Sequence, residues 1–350
     1  MSKDDALCLI LVGETNIQER ENPVDAFRYV LPMLKSADVL FGHLEAPLTQ
    51  PSQDPALPDI PHKDGWRHSS SDMVEAFSAA GFAAVSLASN VMYGRQAIWD
   101  TIETLDRAGI QHCGAGRNLE EARKPAIVLS RGVRFGFLSY TSVFWPVGHA
   151  AGANTPGVAT VRAYTAYQPS RRTLEMPGAP PIVITWADPT ELQTMEMDIR
   201  ALRDLVDIVV VSMHWGISSS NQMIDYQREV GQAAIRAGAD LVMGHHPHCP
   251  QGIEIVEGRP IFYSLGNFAF DWYKMRGRNL EGMLLKCTIR QRILERVAFV
   301  PVRRNQENLV EILDPSQEPG NTIVDQVREL SAAYGTTLTT ADNEVVVNLR

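Results

Sequence analysis

Short runs rich in apolar, β-branched and aromatic residues alternate along this chain with amphipathic segments of helical period, and this alternation restricts the fold more than any other feature. The runs are LCLILVG, ADVLFG, FAAVSLAS, RFGFLSY, DIVVVSM, ADLVMG and RPIFYSLG, and each reads as a strand. The helical segments are NPVDAFRYVLPMLKS, SSDMVEAFSAAG, AIWDTIETLDRAG and DYQREVGQAAIRAG. Three of them end at a glycine, Gly81, Gly109 and Gly238, as suits a left-handed C-terminal cap. Alternation of this kind predicts a layered α/β fold.

Two stretches depart from the rhythm. Residues 145–193 are rich in Pro, Gly and Ala and too long for a simple connection, so they are expected to form a lid or substrate loop. From about residue 285, LLKCTIRQRILERVAFVPVRRN reads as antiparallel strands, with a closing helix over 321–335. No internal repeat is present, and the 350 residues are read as a single domain.

Polar residues stand where the apolar strands stop. The first strand ends at Gly13-Glu14, the second at His43-Leu44-Glu45, the third at Ser89-Asn90, a later one at His214-Trp215-Gly216 and another at His245-His246-Pro247-His248. In an open α/β sheet the ligand site lies beyond the carboxyl ends of the strands, so these five points converge on one crevice. Carboxylate and amide oxygens mixed with imidazole nitrogens suit one or two divalent transition ions, zinc, manganese or iron. Such ions activate water and polarise the bond under attack, which points to hydrolysis.

Each residue alone also has a structural explanation. His214 after a strand can be a hydrogen-bonded core residue, Glu14 or Glu45 a helix cap or surface charge, and Asn90 a turn residue. The three imidazoles at 245, 246 and 248 are more specific, because they repel one another when protonated and a shared metal resolves the conflict. Most rings of the HWG and FYSLGNFAFDWY segments are expected to pack in the core, with Asn267 either in a turn or hydrogen-bonded beside the ligands.

Composition excludes several classes. A net charge of -9 with no run of Lys or Arg lacks the footprint of a nucleic-acid binder. The opening MSKDDALCLILVGETN is too short in apolar residues to cross a membrane and acidic where a signal peptide is basic, so no membrane segment and a cytoplasmic location are expected. Four scattered cysteines form no C-x-x-C pair and are read as reduced.

The segments FGHLEAPLT, AAGFAAVSLASN, TIETLDRAGIQHCGAGRN, VVVSMHWG and GADLVMGHHPHCPQGIEIVEGRPIFYSLGNFAFD resemble the CapA family of poly-gamma-glutamate capsule synthesis proteins, in family order. The resemblance implies the calcineurin-like metallophosphoesterase fold, a four-layer αββα sandwich with the metal site at the strand ends. It supports ligand roles for Glu45, Asn90, His214, His246 and His248, with His245 a ligand or a neighbour of ligands.

The sequence departs from the family pattern at several of these points. Gly-Asp is here Gly13-Glu14, whose longer carboxylate is still counted as a ligand, and Asn-Leu-Glu is His43-Leu44-Glu45. Asn-Asn-His is Ser89-Asn90-Val91, which removes a candidate general acid, and a Glu frequent two residues after His-Trp-Gly is Ser218. The resulting expectation is a metal-dependent hydrolase, with metal-activated hydroxide attacking an amide or ester bond of a small, carboxylated or glutamyl-type substrate. In it His43 and His245 are the catalytic imidazoles, and Arg67 and Asn267 contact substrate. The alternatives are a phosphoester hydrolase and a catalytically silent protein that binds polyglutamate-like ligands.

Overall fold

The structure, a computed structural model, describes residues 6–54 and 57–350. The acidic opening residues 1–5, on which the expected absence of a signal peptide partly rested, lie outside the described residues. The protein is mixed α/β, built on two extensive sheets. In the larger sheet the strand Leu7–Asn16 lies between Val39–Leu44, its parallel neighbour, and Glu281–Arg290, its antiparallel one. Ala84–Ser86 and Gln111–Cys113 extend the parallel side, and Ile293–Arg304, Glu344–Val347 and Leu338–Ala341 the antiparallel side. The second sheet runs Ile253–Val256, Arg259–Phe262, Leu241–His245, Ile208–His214, Val133–Thr141 and Ala126–Ser130.

Strand periodicity explains how these sheets stack. Successive side chains of a strand point to opposite faces. Leu9, Leu11 and Phe41 therefore pack inward against Phe135, Phe137, Val210 and Met243 of the second sheet. Phe41 and Phe137 stack across this interface with ring centroids 4.2 Å apart. The alternate residues Ile10, Val12 and Leu40 face outward onto Phe27, Phe77 and Leu105, which come from helical segments. On the far side, Leu138, Val209 and Val211 meet Met195 and Ile199 of the helix Pro189–Arg203 and Val230 of the helix Asp225–Ala237.

Gly81, Gly109 and Gly238 close their helices in the left-handed conformation, as expected. The segment 22–36 is not one helix. It is a 3-10 turn, Pro23–Phe27, followed by the short helix Leu31–Leu34. Pro32 is the reason: a proline is tolerated in a first helical turn but cannot continue one, so the helix restarts at Leu31.

The stretch 145–193 is not a single loop. It contains the antiparallel hairpin Ala163–Gln168 and Ile182–Ala187, and the helix from Pro189 begins inside it, capped by the Asp188 carboxylate. The strands Glu281–Arg290 and Ile293–Arg304 are antiparallel, and the late helix spans Gly320–Ala332. All four cysteines are free thiols. Among the described residues no helix is long and apolar enough to cross a membrane.

Candidate metal and active site

Register brings the polar strand ends together. A bulge between Val12 and Glu14 places Glu14 opposite His43 on one neighbouring strand and Asn267 on the other. The bulge needs Gly13, since a Cβ there would lie 2.2 Å from the Gly266 carbonyl oxygen. In the second sheet His214 stands opposite His245. The two sets of strand ends meet, and His43 is hydrogen-bonded to His214 across the sheet interface.

Beyond Leu241–His245 the chain turns sharply, with His246 at φ 91° and His248 at φ 58°. Left-handed backbone costs a residue with a Cβ on the order of 1 kcal/mol or more, and it is tolerated where the surroundings over-determine it. Here the His246 amide donates to Glu14 Oε1, while His248 Nδ1 pairs with Glu14 Oε2 and lies 3.0 Å from Asn267 Oδ1. Asn267 in turn donates to the Asn279 carbonyl at 2.9 Å. The His214 and His246 rings are 4.8 Å apart, and Asn90 Nδ2 is 3.3 Å from His246 Nδ1.

Two groups of side chains present ligand atoms within 4.8 Å of one another: Glu45, His246 and His248, and Glu14, Glu45 and His214. Glu45 belongs to both. Its Oε2, together with Asn90 Oδ1 and His214 Nε2, is buried without a hydrogen-bond partner. Leaving such atoms unmet costs about 1–3 kcal/mol each, a cost that a bound cation removes. These His/Glu clusters are able to hold a metal ion, and their oxygen and imidazole donors fit one.

The electrostatics follow from burial. Burial, reinforced by His246 and His43, holds His214 well below the ordinary imidazole range, and burial beside His248 does the same to His246. Both rings are thus neutral, the form that binds metal. Burial and the Glu14 charge push Glu45 up to about 8. For His248 burial acts downward, but Glu14 and Glu45 outweigh it and raise the ring to about 9. Without a metal, then, protons on Glu45 and His248 relieve the crowding of carboxylates.

Other expected site residues are placed differently. His43 has neither ring nitrogen available for proton transfer: Nδ1 is 2.8 Å from Ser86 Oγ and Nε2 is 3.2 Å from His214 Nδ1. It is also fully buried, and burial beside His245 holds it well below its ordinary range. His245 is stacked on His43 at 4.5 Å, buried, outside both ligand groups, and shifted down to about 3 by burial. Arg67 is committed to its own loop, donating to the carbonyls of Ser52, Asp54 and Leu57. These placements argue against proton transfer by His43 or His245 and against substrate binding by Arg67, because the required atoms are engaged or enclosed.

One neighbour of the cluster, Lys63, escapes the sequence reading together with the loop that carries it. Ile60 and Trp66 pack on Val91, which stands where the family pattern has its histidine, and the loop between them carries His62 and Lys63. Lys63 is close enough to act electrostatically on Glu45 and His246. Its half-buried ammonium has no acceptor or ion-pair partner among the described residues. The His62 ring stacks on Trp145 at 4.2 Å, meets Tyr93 edge-on at 4.7 Å, and has no hydrogen-bond partner among the described residues. Trp145 comes from the start of the 145–193 stretch. No local pattern marks these residues, since loops bring them together.

Comparison with known proteins supplies a family. The family model described as "Bacterial capsule synthesis protein PGA_cap" matches residues 10–272. The chain is 31% identical over 296 residues to "PGA biosynthesis protein CapA" of Bacillus subtilis, covering 81% of this chain and 69% of that protein. It is 30% identical over 247 residues to "Capsule biosynthesis protein CapA" of Bacillus anthracis, covering 70% of this chain and 53% of that one. A "Probable polyglutamine synthesis accessory protein" of Mycobacterium tuberculosis is 32% identical over 211 residues, covering 59% of this chain and half of its own length, 50%.

Proposed function

The chain belongs to the bacterial capsule synthesis protein (PGA_cap) family, and from that premise we propose that it is a metal-dependent hydrolase of an amide or ester bond in a small carboxylated substrate. The carrying observation is the pair of ligand groups that share Glu45, with buried atoms on Glu45, Asn90 and His214 left without hydrogen-bond partners. On this reading the stacking of helices and two sheets is the four-layer αββα arrangement of the metallophosphoesterase type, in one domain, with the site at the strand ends.

Glu45, shared by both ligand groups, would hold the metal together with Glu14, Asn90, His214, His246 and His248. Zinc, manganese or iron fits these atoms, and when bound supplies Lewis acidity and a lowered pKa for water. Asn267 orients His248, and His43 orients His214. Lys63, rather than Arg67, holds the substrate carboxylate, as the cation beside the cluster that lacks an acceptor. His62, with ring nitrogens unengaged by the protein, carries the proton to the leaving group. The names of the relatives make a glutamyl-type substrate the first class to try.

The test combines metal analysis with a substrate panel. The protein, purified and reconstituted separately with zinc, manganese and iron, is offered γ-glutamyl amides and esters beside an aryl phosphate. Hydrolysis of the glutamyl compounds that disappears in Glu45→Ala and His246→Ala supports the proposal. Turnover of the phosphate alone transfers the reading to a phosphoesterase. Binding of polyglutamate without turnover by a metal-free protein transfers it to a silent binding protein.

A further inference from the structure

We infer that Asn279 and Arg304 are positioning residues of the turn that carries His246 and His248, an inference that rests on the metal-binding reading of that turn. Left-handed backbone at His246 and His248 persists only where the surroundings over-determine it, and Glu14 is one such constraint. Asn279 supplies two more. Its carbonyl accepts from Asn267 Nδ2 at 2.9 Å, and Asn267 Oδ1 lies 3.0 Å from His248 Nδ1. Its own Nδ2 donates to Ser219 Oγ at 2.8 Å, and the Ser219 amide donates to the Pro247 carbonyl at 2.8 Å. Asn279 thus reaches the turn at Pro247 and at His248 by separate routes. Its backbone is left-handed, φ 46°, a conformation that asparagine tolerates.

Arg304 holds Asn279 in its turn. It ends the strand Ile293–Arg304, and alternation along the strand sends its side chain to the opposite side from that of Arg303. Arg303 is partly exposed and pairs with Glu281 at 3.7 Å, whereas Arg304 is 1% exposed. Arg304 Nη1 donates to the Phe270 carbonyl at 2.8 Å and to Asn308 Oδ1 at 2.6 Å. Its Nη2 meets the Arg278 carbonyl at 2.7 Å and those of Met275 and Asn279 at 3.1 Å. No carboxylate is among these acceptors, so the cost of burying the guanidinium is offset by the carbonyl dipoles of one loop.

That loop braces His248 at both of its ends. Phe270 opens it, with its ring edge-on to His248 at 5.0 Å, and Asn279 closes it, with Asn267 between its carbonyl and the same imidazole. One buried cation therefore fixes the backbone at the two points from which His248 is held. A loop anchor with no bearing on the site would lower stability and leave metal affinity as it is. The bonded routes end on the turn itself, and loss of an outer partner of a ligating histidine typically costs about 10- to 100-fold in affinity.

Zinc affinity of the full chain, by chelator competition, is compared for the parent, Arg304→Ala, Asn279→Gly and Arg303→Ala, with circular dichroism to establish folding. Asn279→Gly keeps the left-handed backbone and the carbonyl, and removes only the arm to Ser219. Binding about 10- to 100-fold weaker in Arg304→Ala and Asn279→Gly, with Arg303→Ala matching the parent, is expected. Parent-like affinity in either folded variant, or an equal loss in Arg303→Ala, overturns the proposal. Should Arg304→Ala not fold, Asn279→Gly decides alone. A parent that binds no zinc defeats the metal reading, and hydrogen exchange on the metal-free protein then tests the positioning separately. Faster exchange of the His246 and Ser219 amides in Asn279→Gly, with the amides of Ile208–His214 unchanged, supports it; exchange equal to the parent's overturns it.

Discussion

His214 Nδ1 lies 3.2 Å from His43 Nε2, and the other ring nitrogen of His43 lies 2.8 Å from Ser86 Oγ. For His214 to offer a lone pair at Nε2, its proton must sit on Nδ1 and be donated to His43. His43 then carries its own proton on Nδ1 and donates it to Ser86, whose hydroxyl oxygen also accepts from Ser212 Oγ at 2.9 Å. This chain crosses from one sheet to the other and selects the His214 tautomer suited to a metal. On the proposed metal-binding reading His43 is a positioning residue.

Replacing His43 should weaken metal binding without unfolding the protein. Loss of an outer partner of a ligating histidine typically reduces affinity about 10- to 100-fold. His43→Ala is expected within that range by competition with a chromophoric chelator. Unchanged affinity would remove the orienting role.

Metal binding should release protons and tighten as pH rises. Glu45 is pushed up to about 8 by burial and Glu14, and His248 to about 9 by Glu14 and Glu45 acting against burial. Both groups are protonated at neutral pH and both must lose the proton to act as ligands, so affinity falls as pH drops below these values. The expected gain is about 10- to 100-fold per pH unit near neutrality, according to whether one or two protons leave. Calorimetric titration in buffers of different ionisation enthalpy counts them; no proton release would contradict the assignment.

Lys63 and Arg67 should separate kinetically. Lys63→Ala is expected to raise KM for a carboxylated substrate about 10-fold or more with little change in kcat, as when ground-state and transition-state binding are lost together. Arg67→Ala should leave KM unchanged and lower stability, since its guanidinium holds carbonyls of residues 52, 54 and 57. The reverse pattern would restore Arg67 to the substrate.

His149 should make the fold acid-sensitive. Its Nδ1 accepts from the Trp145 amide at 2.9 Å and its Nε2 meets the Ser89 carbonyl at 3.1 Å, so the neutral ring is fully engaged. Burial lowers it to about 4, against about 6.5 for an unfolded histidine. The unfolded state therefore binds the proton first, and stability is lost as pH falls from about 6.5 to about 4, by up to about 3 kcal/mol. Urea midpoints of the parent and His149→Gln across that window check the sign. The substitution should make the dependence shallower by the share of one proton, the other buried imidazoles retaining theirs.

Some of the site was legible in the sequence. Glu14, Glu45, His214, His246 and His248 stand where alternation of apolar residues stops, and a strand end is a local signal. The structure brings those five together around Glu45. Lys63 gave no such signal, because it reaches the cluster from a loop held by the packing of Ile60 and Trp66 on Val91, and the stacking of His62 on Trp145 joins loops distant in sequence. Arg67 looked available because its sequence neighbours do not reveal carbonyls 10 to 15 positions away.

The sequence by itself determined the layered α/β character and the strand ends where the polar side chains gather, because side-chain alternation and glycine caps depend on near neighbours alone. Tertiary structure decided what each imidazole does there. A histidine has two ring nitrogens, and its role is set by what meets each of them. For His43 the partners are Ser86, on the adjacent strand, and His214, on the opposite sheet. No reading of residues 40–46 contains either partner.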